Sequence, residues 1–196
     1  MKADVFLLDF QDSFTFQIYS ELLKLNLNLN IKVIPLEEIE HFLNEEKRGY
    51  YILGPGPGHP QDYKELYPSL HKILNNHDNQ VLGICLGHQI ICHLKGFSIQ
   101  RSKHPTHGMQ IKYHLEKKLQ RALSLPEEIY VQRYNSLAVM ALNENPTQWP
   151  ELKHIHDDEL VIAQDKNILS FQFHPESIGT VESQQFFLSY LGGTCL

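Results

Sequence analysis

The fold is decided by a short stretch of sequence, Val81-Leu82-Gly83-Ile84-Cys85-Leu86-Gly87-His88-Gln89. An apolar run enters Gly-x-Cys-x-Gly and a helical pattern follows, which predicts a strand, a sharp turn with the cysteine at its tip, and a helix. Glycines stand two residues away on either side because longer side chains would collide across so tight a turn. We expect the turn to hold the Cys85 sulfur over the strand end, near a helix N-terminus whose dipole favours the thiolate.

Outward from this turn, the first half of the chain alternates apolar runs with amphipathic ones. The apolar runs are continuous, as in strands buried on both faces, and they predict strands at 5–9, 31–36, 50–54 and 81–85. Ser13 is a candidate N-cap of a helix that extends to about residue 24, and Asp62 of another that extends to about residue 77. The helix after Cys85 is expected to end near Gly96, because glycine commonly terminates helices.

The second half of the chain shows closely spaced strand patterns, at 109–115, 128–134, 136–142, 160–165 and 168–173. Residues 165–167 predict a tight hairpin turn, so some of these strands pair antiparallel, and a final helix covers about 181–191. Strand–helix alternation in the first half predicts a parallel sheet between helices. We therefore predict one domain over 1–196 with an α/β fold. It is a three-layer, flavodoxin-like sandwich whose mostly parallel central sheet is flanked by helices, with a small antiparallel sheet in addition.

The composition is that of an ordinary globular protein, with 42% hydrophobic and 20% charged residues. The net charge of −6 and the lack of a basic cluster argue against nucleic acid or an anionic membrane as a partner. No apolar stretch approaches the roughly 18 to 20 residues of a membrane span. Three cysteines at irregular spacing do not make a disulfide framework, which predicts a cytoplasmic location.

A cysteine nucleophile needs a base and a group that orients the base, and one segment offers both: Ser170-Phe171-Gln172-Phe173-His174-Pro175-Glu176-Ser177. An apolar run ends at His174, and Glu176 follows two residues later, so the two side chains can point the same way. A carboxylate on one imidazole nitrogen leaves the other nitrogen facing the sulfur. Because no Cys or carboxylate set has zinc-ligand spacing, we predict no metal site.

Together these two segments resemble the motifs of class I glutamine amidotransferases. Three further segments narrow the resemblance to the small subunit, component II, of anthranilate synthase and of aminodeoxychorismate (para-aminobenzoate) synthase. They are Asp12-Ser13-Phe14-Thr15, Gly54-Pro55-Gly56-Pro57-Gly58-His59-Pro60 and Arg133-Tyr134-Asn135-Ser136-Leu137. The resemblance extends from the first predicted strand to the last predicted helix, with the motifs in the family's order.

The resemblance implies a triad of Cys85, His174 and Glu176. Cys85 would attack the side-chain amide of L-glutamine, and His174 would accept the thiol proton and later protonate the departing ammonia. Glu176 would orient His174. A glutamyl thioester would form, and water would hydrolyse it to glutamate.

The resemblance also implies two backbone N–H groups that stabilise the oxyanion. One is that of Leu86, and the other belongs to Gly56 or Gly58, because Pro57 has no N–H. The sequence does not choose between the two glycines. The positions that bind glutamine in the family correspond here to Gly56, Pro57, Gly58, Gln89, Ser136 and Leu137.

The partner implied by the resemblance is a chorismate-binding synthase subunit, component I, in a hetero-oligomer. That subunit would use the ammonia, delivered through a shielded channel, and is expected to carry Mg²⁺, while this subunit is expected to carry no cofactor. The product is anthranilate for tryptophan, aminodeoxychorismate for folate, or both. Departures from the family pattern, such as Asn135 where histidine is usual and Met109 where lysine is frequent, bear on coupling to the partner more than on the chemistry.

Two other readings of the same residues stay open. The cysteine turn and the His–Glu pair by themselves would also suit a stand-alone thiol hydrolase of γ-glutamyl substrates. A binding subunit that keeps the fold without the chemistry is the other, and the intact Cys85, His174 and Glu176 speak against it.

Overall fold

The computed structural model describes residues 2–141 and 149–192. In the first half, strands alternate with helices, in the order β1 (Ala3–Asp9), α1 (Thr15–Lys24), β2 (Leu29–Pro35), α2 (Leu36–Asn44), β3 (Tyr50–Leu53), a 3-10 helix (Pro60–Leu66), α3 (Tyr67–Asn75), β4 (Gln80–Ile84) and α4 (Leu86–Leu94). The second half contains β5 (Ile99–Arg101), β6 (Met109–His114), α5 (Lys117–Leu123), β7 (Glu128–Arg133), β8 (Leu137–Val139), β9 (Leu152–His156), β10 (Glu159–Asp165), β11 (Ile168–Phe171) and α6 (Ser183–Leu191).

A seven-stranded sheet forms the centre of the fold, in the order β2-β1-β3-β4-β11-β10-β9. Strands β2, β1, β3, β4 and β11 pair in parallel, whereas β10 runs antiparallel to both of its neighbours. Two antiparallel pairs, β5 with β8 and β6 with β7, lie outside this sheet. The predicted fold class is therefore confirmed, with two antiparallel ribbons where one small sheet was expected.

Both faces of the central sheet are covered by helices, which explains the continuous apolar runs of its strands. Val5 and Leu7 of β1 pack into one apolar cluster, with residues of α1 and α6. Phe6 and Leu8 of the same strand pack into another, with residues of α2, α3 and α4. Successive side chains of a strand point to opposite faces, so a strand buried on both faces needs apolar residues at every position.

The predicted hairpin turn lies beside the first residues of β4, at the end of the sheet opposite Cys85. Asp165 pairs with Ile168 across the turn, and Lys166 adopts a positive φ of 46° in it. This hairpin brings β11 back beside β4, which places the segment after β11 next to the turn after β4.

No helix within the described residues is long and apolar enough to cross a bilayer.

Two predicted helix starts were wrong. The N-cap of α1 is Phe14 rather than Ser13, and its N–H donates to Asp12 Oδ1 at 2.8 Å. Asp62 is not an N-cap either, because the 3-10 helix begins after His59, whose N–H donates to Asp62 Oδ2 at 2.7 Å. The helix predicted to extend to residue 77 divides in two, and its second part, α3, starts one residue before Pro68.

Some elements lie in stretches for which the sequence patterns predict no helix or strand with stated bounds. They are α2, β5, α5 and β9. Both β5 and β9 are short and carry several partly exposed side chains, so only their pairing with β8 and β10 makes them strands. The strand predicted at 136–142 shrinks to β8, and its last predicted residue, 142, lies outside the described residues.

Candidate active site

Cys85 stands in a strained turn between β4 and α4. Its φ of 53° and ψ of −101° are rare for a residue with a side chain, and such conformations concentrate at functional sites. The backbone N–H of Cys85 donates to Phe171 O at 2.8 Å, which ties the turn to the end of β11. The residue is 9% exposed, so the thiol is largely shielded from solvent.

The glycines around Cys85 are required by close backbone contacts. A Cβ atom at Gly83 would lie 2.8 Å from the carbonyl carbon of Gly87, which is the collision across the turn that the sequence predicts. At Gly87 the obstacle is different: a Cβ atom would lie 2.0 Å from Leu53 O, in the neighbouring strand β3. The second glycine therefore allows α4 to begin directly against the sheet.

The structure brings His174 and Glu176 together just after β11. His174 Nδ1 lies 2.7 Å from Glu176 Oε1, and both side chains are almost fully buried. The backbone N–H of His174 donates to Gln132 O at 2.9 Å, which anchors this segment to β7. The other ring nitrogen, Nε2, is buried and has no hydrogen-bond partner among the described residues, so it is available to the thiol.

The electrostatics of His174 favour the charged imidazolium. Burial lowers the pKa of His174, but the carboxylate of Glu176 and the negative charge of the Cys85 sulfur raise it, and the net pKa lies well above the ordinary histidine value. An imidazolium beside a thiolate is the form in which a cysteine is a ready nucleophile.

Two aromatic rings enclose His174. The ring of Phe14 lies 4.8 Å from the imidazole, centroid to centroid, and that of Tyr134 lies 5.1 Å from it. A cavity of about 590 Å³ opens beside Glu176, between these rings and the fully exposed Ile178. The sequence motifs contain Phe14 and Tyr134, but nothing in the pattern indicates that they pack against His174.

The loop after β3 carries the two glycines proposed for the oxyanion site, and they face different neighbours. A Cβ atom at Gly56 would lie 2.6 Å from the side chain of Leu86, the residue after Cys85. A Cβ atom at Gly58, where φ is 78°, would instead lie 2.5 Å from Asp62 Oδ2. Within the described part of the chain, no acceptor pairs with the N–H of Leu86 or of Gly56. Pro57 stands between the two glycines, and its carbonyl oxygen accepts a hydrogen bond from Tyr63 Oη at 2.9 Å.

Gln89, one turn into α4, reaches across to Leu137. Its Nε2 donates to Leu137 O at 2.9 Å and to Gln172 Oε1 at 3.1 Å. Both amide hydrogens are thus used inside the protein, and only Gln89 Oε1 is left to contact a ligand. Ser136 is exposed and its carbonyl accepts from Ser102 N–H at 2.9 Å, so its side chain and N–H are the groups left for a substrate.

A buried ion pair supports the segment that contains Asn135, Ser136 and Leu137. Arg133 Nη2 lies 2.6 Å from Glu159 Oε2, and Arg133 Nε donates to Asn135 Oδ1 at 2.8 Å. Asn135 Nδ2 in turn donates to Leu137 O at 2.9 Å. The amide at position 135 therefore links the ion pair to the strand that carries Leu137. In the described ranges, no group of three or more His, Cys, Asp or Glu side chains is placed to hold a metal ion.

The sequence is similar to one family model and to proteins that share one name. A family model described as "Glutamine amidotransferase class-I" matches residues 6–191. The chain is 31% identical over 185 residues to anthranilate synthase component 2 of Vibrio parahaemolyticus, covering 91% of this chain and 89% of that protein. It is 30% identical over 191 residues to the Helicobacter pylori protein of the same name, covering 96% of each.

Two further comparisons concern a larger protein and a solved structure. Aminodeoxychorismate synthase of Streptomyces pristinaespiralis is 28% identical over 196 residues, which cover 94% of this chain and 25% of that protein. The crystal structure of the A subunit of a putative GMP synthase from Thermoplasma acidophilum superposes with a TM-score of 0.79 at 21% identity, covering 98% of this chain and 94% of that one. The structural likeness supports the fold.

Proposed function

The chain belongs to the class I glutamine amidotransferases, and we propose that it is the glutaminase subunit of a synthase that aminates chorismate. It hydrolyses L-glutamine to glutamate and ammonia and passes the ammonia to its partner. The observation that carries this proposal is the placement of Cys85, on a strained turn, beside an imidazole whose far nitrogen is held by Glu176 at 2.7 Å.

In the first half-reaction, the Cys85 thiolate adds to the side-chain carbonyl carbon of glutamine. The carbonyl oxygen becomes an oxyanion, which the N–H groups of Leu86 and Gly56 stabilise. His174 then gives its proton to the amide nitrogen, the C–N bond breaks, and ammonia leaves a glutamyl thioester. Glu176 keeps the imidazole in the orientation that this transfer needs.

In the second half-reaction, His174 removes a proton from water and the resulting hydroxide adds to the thioester carbon. The C–S bond breaks, glutamate leaves, and the thiolate–imidazolium pair is restored. Of the two candidate glycines, Gly56 is favoured for the oxyanion site because it packs against Leu86, whereas Gly58 packs against Asp62. The glutamine itself lies along the loop of Gly56 to Gly58, Gln89, Ser136 and Leu137.

The partner in this proposal is a chorismate-binding component I, and the two chains form a hetero-oligomer in the cytoplasm. Relatives named anthranilate synthase component 2 and aminodeoxychorismate synthase support a chorismate enzyme, and they leave the product as anthranilate, aminodeoxychorismate or both. We propose that the Mg²⁺ of the assembly is bound by the partner and that this subunit needs no cofactor.

The test is a product assay with each candidate component I, using either glutamine or an ammonium salt as the nitrogen source. We expect Cys85→Ser to lose glutamine-dependent product formation by more than about 1000-fold and to keep the ammonium-dependent reaction. Cys92→Ala is the matched control, because Cys92 is a fully buried thiol without a catalytic role, and it should retain glutamine use. Full glutamine use by Cys85→Ser would refute the assigned nucleophile.

The same assay separates the proposal from the stand-alone hydrolase. If the isolated chain turns over γ-glutamyl peptides and neither synthase stimulates it, then the chain is a hydrolase rather than a synthase subunit.

A further inference from the structure

We propose that Gln172 donates a hydrogen bond to the Cys85 thiolate and that a chain of hydrogen-bonded amides holds Gln172 in the donor orientation. Gln172 follows β11 directly and is completely buried. Its Nε2 lies 3.8 Å from Cys85 Sγ, within reach of an N–H···S hydrogen bond. The inference rests on the proposed function only in taking Cys85 as the nucleophile.

The direction of this amide follows from its neighbours. The Leu137 carbonyl can only accept, so Gln89 must present its NH₂ group to it. The second hydrogen of that NH₂ group is given to Gln172 Oε1 at 3.1 Å. With its oxygen engaged by Gln89, Gln172 has its own NH₂ group on the side of the sulfur. A flipped Gln172 amide would place its oxygen against the thiolate and its NH₂ group against that of Gln89. If Gln89 flipped as well, its oxygen would lie against the Leu137 carbonyl.

The second donor to the Leu137 carbonyl is also fixed in direction. The Arg133 guanidinium can only donate, and it donates to Asn135 Oδ1 at 2.8 Å. Asn135 must then present its NH₂ group to Leu137 O, at 2.9 Å. The Leu137 carbonyl thus accepts from Asn135 and from Gln89, and the buried Arg133–Glu159 pair fixes the first member of the chain.

A donor at this place matters because hydrogen bonds to a charged group favour the charged form. The thiolate would be held by His174 on one side and by Gln172 on the other, and the contact to Gln172 should shorten as the sulfur becomes charged. Within the described ranges, the titratable groups that face the sulfur are His174 and, behind it, Glu176. His88 lies on the same helix α4, but its ring nitrogens contact Ser170 Oγ and Leu160 O, each at 2.9 Å.

The test is the pH dependence of Cys85 alkylation by iodoacetamide, followed by mass spectrometry of the peptide that contains Cys85. In Gln172→Met, which keeps the length and loses the donor, we expect the midpoint of the alkylation profile to rise by about one pH unit. Below both midpoints, alkylation should be about tenfold slower than in the unaltered chain. The matched control is Gln164→Met, since Gln164 lies near the first residues of β4 and β11, at the opposite end of the sheet from the sulfur. Its midpoint should not move.

A second variant keeps the test decisive if Gln172→Met does not fold. Gln89→Met removes the donor that holds Gln172 Oε1, so the Gln172 amide can flip and the midpoint should also rise. Folding of each variant is checked by circular dichroism, and an unchanged midpoint in a folded Gln172→Met or Gln89→Met chain would overturn the inference. Alkylation needs neither glutamine nor a synthase. If the midpoints shift as expected but the unaltered chain has no glutaminase activity, the proposed function is refuted and the inference still stands.

Discussion

Two buried histidines of this chain differ in pKa because their neighbours differ. At His174 the carboxylate of Glu176 and the sulfur of Cys85 favour the charged ring. At His88, burial lowers the pKa to about 4. Its Nε2–H donates to the Leu160 carbonyl and its Nδ1 accepts from the Ser170 hydroxyl, so the neutral ring is fully satisfied. One residue type therefore supplies both the proposed base and an uncharged structural group.

This contrast predicts a pH effect on stability that belongs to His88. Its pKa is lower in the folded chain than in the unfolded one, so its contribution to stability is present above about pH 6.5 and is lost as pH falls toward 4. Over that range, the free energy of unfolding of the unaltered chain should fall by about 3 kcal/mol more than that of His88→Gln. Urea unfolding at a series of pH values measures the difference, in which His174 and the other shared groups cancel. Parallel pH profiles for the two chains would contradict it.

At the scale of elements, the turn that carries Cys85 depends on contact between α4 and β3. Gly87 N–H donates to Gly54 O at 3.2 Å, just past the end of β3, and no side chain fits at position 87. The strained backbone of Cys85 is therefore held from both sides, by β11 through Phe171 O and by the end of β3. A local conformation of this kind persists only where its surroundings require it.

We expect Gly87→Ala to lower the free energy of unfolding by more than about 3 kcal/mol, because a Cβ atom 2.0 Å from Leu53 O forces α4 away from the sheet. Gly108→Ala is the matched control. A Cβ atom there would lie 3.2 Å from the Tyr134 ring and 3.7 Å from Gln132 Nε2, and the positive φ of 70° should cost about 1 kcal/mol. Urea unfolding of both variants measures the comparison, and equal losses would show that the contact with β3 is not the constraint.

For the whole molecule, the buried pair of Arg133 and Glu159 joins the β6–β7 ribbon to the central sheet. Arg133 ends β7, Glu159 begins β10, and both side chains are 3% exposed. Tyr113 Oη and Ser102 Oγ complete the pair, at 3.2 Å from Arg133 Nη1 and 2.6 Å from Glu159 Oε1. The segment that carries Asn135 and Leu137 is thereby fixed relative to the strands that carry the proposed catalytic groups.

Removal of one partner of this pair should leave an uncompensated buried charge. We expect Arg133→Met or Glu159→Leu alone to lower the free energy of unfolding by about 3 to 5 kcal/mol. The double variant Arg133→Met with Glu159→Leu should recover a large part of that loss, because no charge then remains buried. Denaturant unfolding of the three variants gives the coupling free energy. A double variant that loses the sum of the two single losses would show that the pair is not energetically coupled.

Local sequence patterns predict most of the fold class and of the chemistry of the candidate site. Apolar runs without polar interruptions predict strands covered on both faces, and β1, β3 and β4 lie where those runs stand. Gly-x-Cys-x-Gly predicts the turn because few other residues fit so close to a backbone. His174 and Glu176 are two residues apart, so their approach is also a local matter.

Only the tertiary structure decided the interactions between residues that are distant in the chain. Gln172 looks like an ordinary polar residue in a strand segment until Gln89 and Cys85, more than 80 residues earlier, are placed beside it. Strand β9 exists because β10 pairs with it. The physical reason is common to both: a hydrogen bond is specified by both of its partners, and one segment of sequence contains only one of them.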